Sequence, residues 1–103
     1  MAFNIVIGKS AQCDIRDALD WYAGESISAL ERFWNGLQNC FEDLSKRPET
    51  FDVVRQSPNY RKVKLHKFPY YIVFRVGEPR SKILIVAVVH IKRDPAVWVR
   101  NLR

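Results

Sequence analysis

Large apolar residues occupy every second position at the start of the chain and then recur at a longer period. The alternation over residues 3–7 predicts a short strand that ends at Gly8. A helix is predicted next, capped at Ser10 and ending near Gly24. Its apolar residues at helical spacing are Ala11, Ile15, Ala18, Leu19 and Tyr22.

A second helix is predicted to follow directly. Ser28 with Glu31 three positions later matches a capping box, and Pro48 closes the segment. Its apolar stripe consists of Leu30, Phe33, Trp34, Leu37, Phe41 and Leu44. A stripe at this spacing is typical of a core or an interface, so the two helices are expected to form a hairpin packed on the rest of the protein. Gly36 predicts close packing at its position.

Alternation returns in the C-terminal half, after a connection over residues 49–59. The predicted strands cover residues 61–66, 70–76 and 83–89. The third is apolar on both faces, which is typical of a strand inside a sheet. A turn is predicted over residues 77–81, between the second and third of these strands.

The element order β-α-α-β-β-β in one domain of residues 1–103 predicts an α+β fold with two layers. We expect the helical hairpin to cover one face of a mostly antiparallel sheet. The other face is expected to be uncovered. By alternation along the strands it should carry Lys62, Lys64, His66, Tyr71 and Arg75.

The charge is divided between the halves of the chain. Residues 1–54 hold five Lys/Arg against nine Asp/Glu, a net charge of −4, and residues 55–103 hold twelve against two, a net charge of +10. Because the basic residues alternate with apolar ones, they predict a folded basic surface rather than a disordered tail. The expected counterpart is anionic: RNA, DNA, a nucleic-acid-handling machine or an acidic peptide.

Several classes of protein are disfavoured by what the sequence lacks. Cys13 and Cys40 are not in a C-x-x-C or a Cys/His cluster, so neither a metal site nor a cofactor is expected, and the two cysteines are expected to be reduced. No segment reaches the roughly 20 apolar residues that span a membrane, and no signal core is present. We therefore expect a cytoplasmic protein without membrane contact.

Several segments, taken in order, resemble one known family. They are Asp14-Ile15 and Trp21-Tyr22 in the first helix, Arg32-Phe33 in the second, Phe68-Pro69-Tyr70, and His90-Ile91-Lys92-Arg93-Asp94-Pro95-Ala96-Val97-Trp98. In this order they resemble the RelE/ParE superfamily of type II toxin-antitoxin toxins, over nearly the whole chain. The resemblance implies a cognate antitoxin protein as partner, with a toxin-antitoxin hetero-oligomer as the expected assembly.

The superfamily contains two activities on one fold, so the fold alone does not choose between them. A RelE-like toxin would cleave messenger RNA in the ribosome, and the resemblance then implies catalytic roles for Lys62, Lys64 and either Lys92 or Arg93. Two positions depart from that pattern. Tyr71 stands where RelE-like nucleases carry an arginine. Trp98 stands where some carry a tyrosine, and its ring N–H cannot exchange a proton near neutral pH.

A ParE-like toxin would instead bind DNA gyrase, and the two departures favour this branch. The residues then expected to contact a target or partner are Arg61, Tyr71, Arg75, His90, Arg93, Trp98 and Arg100. The chain ends of ParE-like members often carry Trp and Arg, and these residue types are common interface anchors. A housekeeping RNA-binding domain is a third class, for which the sequence has no RNP or KH signature.

Overall fold

The computed structural model describes residues 3–77 and 82–102. Within them the elements are β1 (Asn4–Ile7), α1 (Lys9–Glu25), α2 (Ile27–Lys46), β2 (Asp52–Val53), β3 (Arg61–Lys64), β4 (Tyr70–Gly77), β5 (Lys82–His90) and α3 (Pro95–Val99). A single 3₁₀ turn, Pro48–Thr50, connects α2 to β2. The predicted α+β class is confirmed.

The strands form one sheet in the order β1-β5-β4-β3-β2. β1 runs parallel to β5, and the other neighbours are antiparallel, which confirms a mostly antiparallel sheet with β5 inside it. The sequence missed β2, because two residues are too short to show a period. Of the predicted turn over residues 77–81, all but Gly77 lies outside the described residues.

One serine joins the two long helices. The N–H of Ser26 donates to the carbonyl of Tyr22 at 3.0 Å and so ends α1, while its Oγ accepts from the N–H of Ala29 at 2.9 Å and caps α2. The predicted end near Gly24 is confirmed to within one residue, since α1 ends at Glu25, whereas the predicted cap at Ser28 was wrong. The predicted cap at the start of α1 was also wrong, since Gly8 rather than Ser10 precedes the helix.

The hairpin of α1 and α2 buries its apolar side on one face of the sheet. This first core contains Ala11, Ile15, Ala18, Phe33, Leu37, Phe41, Leu44, Leu65, Ile72, Phe74, Ile83, Ile85 and Val88. Its aromatic centre is Phe33, whose ring lies 4.8 Å from that of Tyr22 and 5.3 Å from that of Phe68, between centroids. A Cβ on Gly36 would lie 3.3 Å from Cε2 of Phe68, which confirms the predicted close packing.

The opposite face of the sheet is partly covered, which corrects the prediction of an uncovered face. A second core forms there from Val54, Tyr60, Val73, Val89 and Trp98. Asp94 caps the short helix α3 by accepting from the N–H of Ala96 at 2.9 Å, and α3 brings Trp98 onto the sheet. The chain before β3 contributes Val54 and Tyr60 from the other side.

Candidate functional site

The two lysines of β3 lie on the predicted face but are both engaged. Register pairs Lys62 with Val73 and Lys64 with Tyr71 on β4. The Lys62 ammonium lies 4.7 Å from the centroid of the Tyr71 ring, a cation–π distance. The Lys64 ammonium donates to the carbonyls of Leu65 and Phe68 at 3.3 and 3.1 Å. Lys64 is thus directed into the turn between β3 and β4.

That turn also removes His66 from the sheet face. β3 ends at Lys64, and the chain turns so that the N–H of Phe68 donates to the carbonyl of Leu65 at 3.2 Å. Lys67 holds a φ of 70°, the left-handed region that L residues rarely occupy. The prediction that His66 lies on the strand with the lysines was wrong, because the strand is shorter than the alternation suggested.

The two arginines predicted on the sheet are held in different ways. Arg61 Nη1 donates to the carbonyls of Phe51 at 2.7 Å and Glu49 at 3.3 Å, so it ties the segment before β2 to β3. The Nε of Arg75 is buried and has no hydrogen-bond partner among the described residues. Arg75 lines a small cleft with Tyr60. Arg61 therefore has a structural role, because its two hydrogen bonds hold the segment before β2 against β3.

The remaining predicted residues follow β5. The Nδ1 of His90 accepts from the N–H of Lys92 at 3.1 Å, and the His90 carbonyl accepts from the N–H of Arg93 at 3.0 Å. Arg93 is exposed and borders a cleft of about 600 Å³ between the start of α1 and α3. Arg100 is exposed too, and its Nε donates to the carbonyl of Ala96 at 3.0 Å.

Asp14 on α1 borders the same cleft as Arg93. Burial raises the pKa of its carboxyl group, and the hydrogen bond from the Val88 N–H and the charge of Arg93 oppose that shift. From sequence, Asp14 contributes only to the family resemblance and to the negative charge early in α1. Its contact with a residue far along the chain has no local sequence signal.

Trp98 is only 4% exposed and belongs to the second core. This burial favours a packing role for Trp98, and its role as a partner anchor stays a prediction. The other two tryptophans reach solvent: Trp21 is 64% exposed and Trp34 is 46% exposed. Trp34 thus belongs to the exposed margin of the apolar stripe predicted as core or interface.

The structure therefore divides the predicted set. Lys62, Lys64 and Tyr71 lie together on β3 and β4, whereas Lys92 and Arg93 follow β5. β4 lies between the two lysines on β3 and the strand β5, and two strand spacings amount to about 10 Å. Between them the face is apolar. In the described ranges no group of His, Cys, Asp and Glu is placed to hold a metal, and no helix there could cross a membrane.

The model of the ParE toxin of the type II toxin-antitoxin system parDE matches residues 5–95 of this chain. The chain belongs to the ParE toxin family. It is thus the toxin of a type II toxin-antitoxin system. A search of curated proteins gave no match.

Solved structures agree on the fold of this ParE-family toxin. The chromosomal ParDE system from P. aeruginosa has 18% identity and a TM-score of 0.66, covering 88% of this chain and 98% of its own. The E. coli toxin RelE, a mutant in the free state, has 17% identity and a TM-score of 0.61, and both chains are covered fully. The RelBE2 toxin-antitoxin complex from Mycobacterium tuberculosis has 16% identity and a TM-score of 0.60, covering 87% and 99%. At sequence identities this low, the structural similarity supports only the conclusion that the fold is shared.

Proposed function

We propose that this ParE-family toxin stops growth by binding DNA gyrase as a protein inhibitor, without cutting RNA. The observation that carries the proposal is the engagement of both β3 lysines. Cleavage by a ribose 2′-OH needs a base for the hydroxyl, cations at the phosphate and an acid for the leaving oxygen. Lys64 is bonded to two carbonyls and Lys62 lies against Tyr71, so neither is free to act in this conformation.

A second feature supports binding rather than cleavage. Between β3 and the residues after β5, the face of the sheet is filled by the apolar second core. A track for an RNA backbone would need continuous positive charge with exposed stacking rings. Trp98, the ring best placed by sequence for stacking, is buried.

We also propose that a cognate antitoxin neutralises the toxin by folding across the helical hairpin and the basic sheet. Solved relatives include toxin-antitoxin complexes, among them the intact E. coli RelBE complex. The net charge of +10 over residues 55–103 would attract an acidic segment, and a segment that is disordered when free can cover a large surface as it folds. The complex would be a hetero-oligomer.

One observation favours the alternative that this toxin is a RelE-like nuclease. Lys62, Lys64 and Tyr71 are neighbours on one face, and binding of RNA could draw the lysines from their present partners. A nuclease of this kind would act on messenger RNA in the ribosome, with Lys92 or Arg93 adding charge at the phosphate.

The deciding experiment compares the wild-type toxin with the double variant Lys62→Ala, Lys64→Ala. Purified toxin is added to gyrase with relaxed plasmid and ATP, and separately to ribosomes translating a defined messenger RNA. We expect both proteins to block supercoiling and to leave the messenger RNA intact. Messenger RNA cut at codons by the wild type, but not by the double variant, would establish the nuclease and refute the gyrase proposal.

A further inference from the structure

Arg75 on β4 is a charged side chain that lacks a partner within the toxin. Its Nε is buried without a hydrogen-bond partner, and no hydrogen bond or ion pair joins its guanidinium group to another described residue. A buried N–H that has lost its water and gained no acceptor is unfavourable, and more so when the group is charged. Arg75 is only half-buried as a residue and lines a cleft, so a partner from outside can reach its side chain.

The cleft at Arg75 is built from hydrogen-bond donors. It has a volume of about 420 Å³ and is lined by Asn59, Tyr60, Arg75 and Val76. Register pairs Arg61 with Phe74, which brings Tyr60, the residue before β3, beside Arg75. A guanidinium group, a phenol and an amide can all donate, and the described lining contains no carboxylate. The cleft therefore fits an acceptor that carries negative charge.

The number of cations favours a carboxylate over the phosphates of a nucleic acid. The described lining holds no Lys or Arg besides Arg75, whereas a nucleic-acid backbone brings a row of phosphates that needs several cations. Lys62 lies on the same face of the sheet, but its ammonium is over the Tyr71 ring, on the side away from Arg75. One carboxylate balances one guanidinium group and matches its planar fork with two parallel hydrogen bonds.

The position of the cleft would strengthen such a pair. Tyr60 and Val73, on the same face as Arg75, belong to the apolar second core. A charge pair that forms against an apolar surface and is covered by the incoming chain is shielded from water, so its attraction is stronger than that of an exposed pair. The unfavourable unpaired state belongs to the free toxin, and a bound carboxylate would relieve it.

We propose that the cleft at Arg75 binds the carboxylate of an aspartate or glutamate side chain of the antitoxin. The inference rests on the proposed neutralisation of the toxin by an antitoxin that folds across the hairpin and the basic sheet. Arg75 lies on that sheet, and the net charge of +10 over residues 55–103 favours an acidic segment as the occupant. Tyr60 and Asn59 are the neighbouring donors that would help to orient the carboxylate.

The test replaces Arg75 with methionine and, separately, with lysine. Arg75→Met removes the charge and every donor but keeps an apolar stem. Arg75→Lys keeps the charge but loses the Nε–H and the planar fork. The matched control is Arg55→Met, which removes an exposed arginine from a turn of the same basic half. Because both methionine variants lose one positive charge, the comparison separates a local pair from general attraction of an acidic protein.

The probe is the small protein encoded beside the toxin gene, purified apart from the toxin. Titration calorimetry measures its affinity for each variant, and thermal melting measures the stability of each free toxin. We expect Arg75→Met to bind at least about tenfold more weakly than wild type, and Arg55→Met to stay within about twofold. Arg75→Lys should lose most of the same affinity. Free Arg75→Met should melt at or above the wild-type temperature, because an apolar side chain there leaves no donor unsatisfied.

Substitutions in the antitoxin identify the carboxylate. Each Asp or Glu of the antitoxin is changed to Asn or Gln and tested against wild-type toxin and Arg75→Met. We expect one substitution to weaken binding to the wild type at least about fivefold and to have almost no further effect on Arg75→Met. Equal effects of every substitution in both backgrounds would overturn the inference, because no carboxylate would then be coupled to Arg75.

Three other results would also overturn it. A loss of affinity in Arg55→Met equal to that in Arg75→Met would make the effect general electrostatics. Free Arg75→Met that melts more than about 5 °C below wild type would make Arg75 a support of the fold. Unchanged antitoxin affinity in Arg75→Met, with weaker gyrase inhibition or weaker binding of an RNA oligonucleotide, would assign the cleft to the target or to a phosphate.

The antitoxin proposal and this inference fail in different ways. If the neighbouring protein binds wild type and Arg75→Met equally, the cleft is refuted and the antitoxin proposal stands. If that protein does not bind the wild-type toxin, the antitoxin proposal is wrong and the inference falls with it. Neither result bears on gyrase, because inhibition of supercoiling is measured with the free toxin.

Discussion

The carboxylate of Asp14 on α1 accepts a hydrogen bond from the backbone N–H of Val88 on β5 at 2.9 Å, across 74 positions of the chain. β1 pairs with β5 only as far as Ile85, so within the described residues β5 continues beyond its neighbour on that side. The side chain of Asp14 satisfies the Val88 N–H where a longer β1 would have done so. The contact fastens the hairpin to the sheet beside the cleft that Arg93 borders.

Asp14→Ala should therefore destabilise the fold more than Asp14→Asn. Alanine leaves the partly buried N–H of Val88 without an acceptor, at a cost of about 1 to 3 kcal/mol in the free energy of unfolding. Asparagine keeps an oxygen in the same place. Urea unfolding of both variants at neutral pH measures the difference, and equal stabilities would show that the hydrogen bond contributes nothing.

Asp14 also predicts how the stability of the fold changes with pH, and in which direction. Burial raises the pKa of Asp14 above its ordinary 3.8, so the folded chain holds this proton more tightly than the unfolded chain. The contribution of Asp14 to stability is therefore present at low pH and is lost as pH rises through the raised pKa. Asp14→Asn cannot ionise. Its stability relative to wild type should rise with pH over that window and then stay constant, as urea unfolding from about pH 4 to about pH 7 would reveal.

Helices and strands with regularly spaced apolar residues were predictable from sequence, whereas contacts between distant segments were not. The apolar stripe of α2 and the alternation of β4 identified both elements, because their side chains pack against one continuous core. β2 has two residues and therefore no period. Ser26 was missed as the junction because it ends one helix and caps the next, whereas Ser28 and Gly24 match the ordinary signals for one helix alone.

The candidate site was only partly predictable for a related reason. Alternation correctly placed Lys62 and Lys64 on one face with Tyr71. It could not reveal that the Lys64 ammonium bonds to two turn carbonyls, since that depends on the path of residues 65–69. Nor could it tell Trp98 from Trp34. Which tryptophan is buried depends on how α3 returns to the sheet, and a five-residue helix gives little pattern to read.

The glycines of the two long helices provide a matched pair of stability predictions. A Cβ on Gly24 would have no atom within 4 Å, so Gly24→Ala should stabilise the fold by about 1 kcal/mol through helix propensity. A Cβ on Gly36 would press on the Phe68 ring at 3.3 Å, so Gly36→Ala should gain less or lose slightly. Chemical unfolding of the two variants tests the pair. A larger gain at Gly36 than at Gly24 would contradict the packing described here.

Trp98→Ala should lower the stability of the fold. Because Trp98 lies in the second core at 4% exposure, its truncation should cost about 3 kcal/mol and lower the melting temperature by more than about 10 °C. Val97→Ala, at a more exposed position in the same helix, is the control and should melt close to wild type. If Trp98→Ala melts as wild type but loses growth arrest, the ring has a contact role after all.

Lys64 allows the structural and catalytic interpretations of the basic strand to be separated in one experiment. Lys64→Met keeps most of the side-chain length but loses both hydrogen bonds to the turn carbonyls, so it should cost about 1 kcal/mol of stability. Lys62→Met loses only the contact with the Tyr71 ring and should cost about half as much.

We expect both variants to arrest growth as the wild type does, because a gyrase inhibitor needs neither ammonium group for chemistry. Growth curves on induction, with melting temperatures beside them, provide the measurement. If both variants keep their fold and lose all toxicity, the lysines are catalytic and the toxin is a RelE-like nuclease.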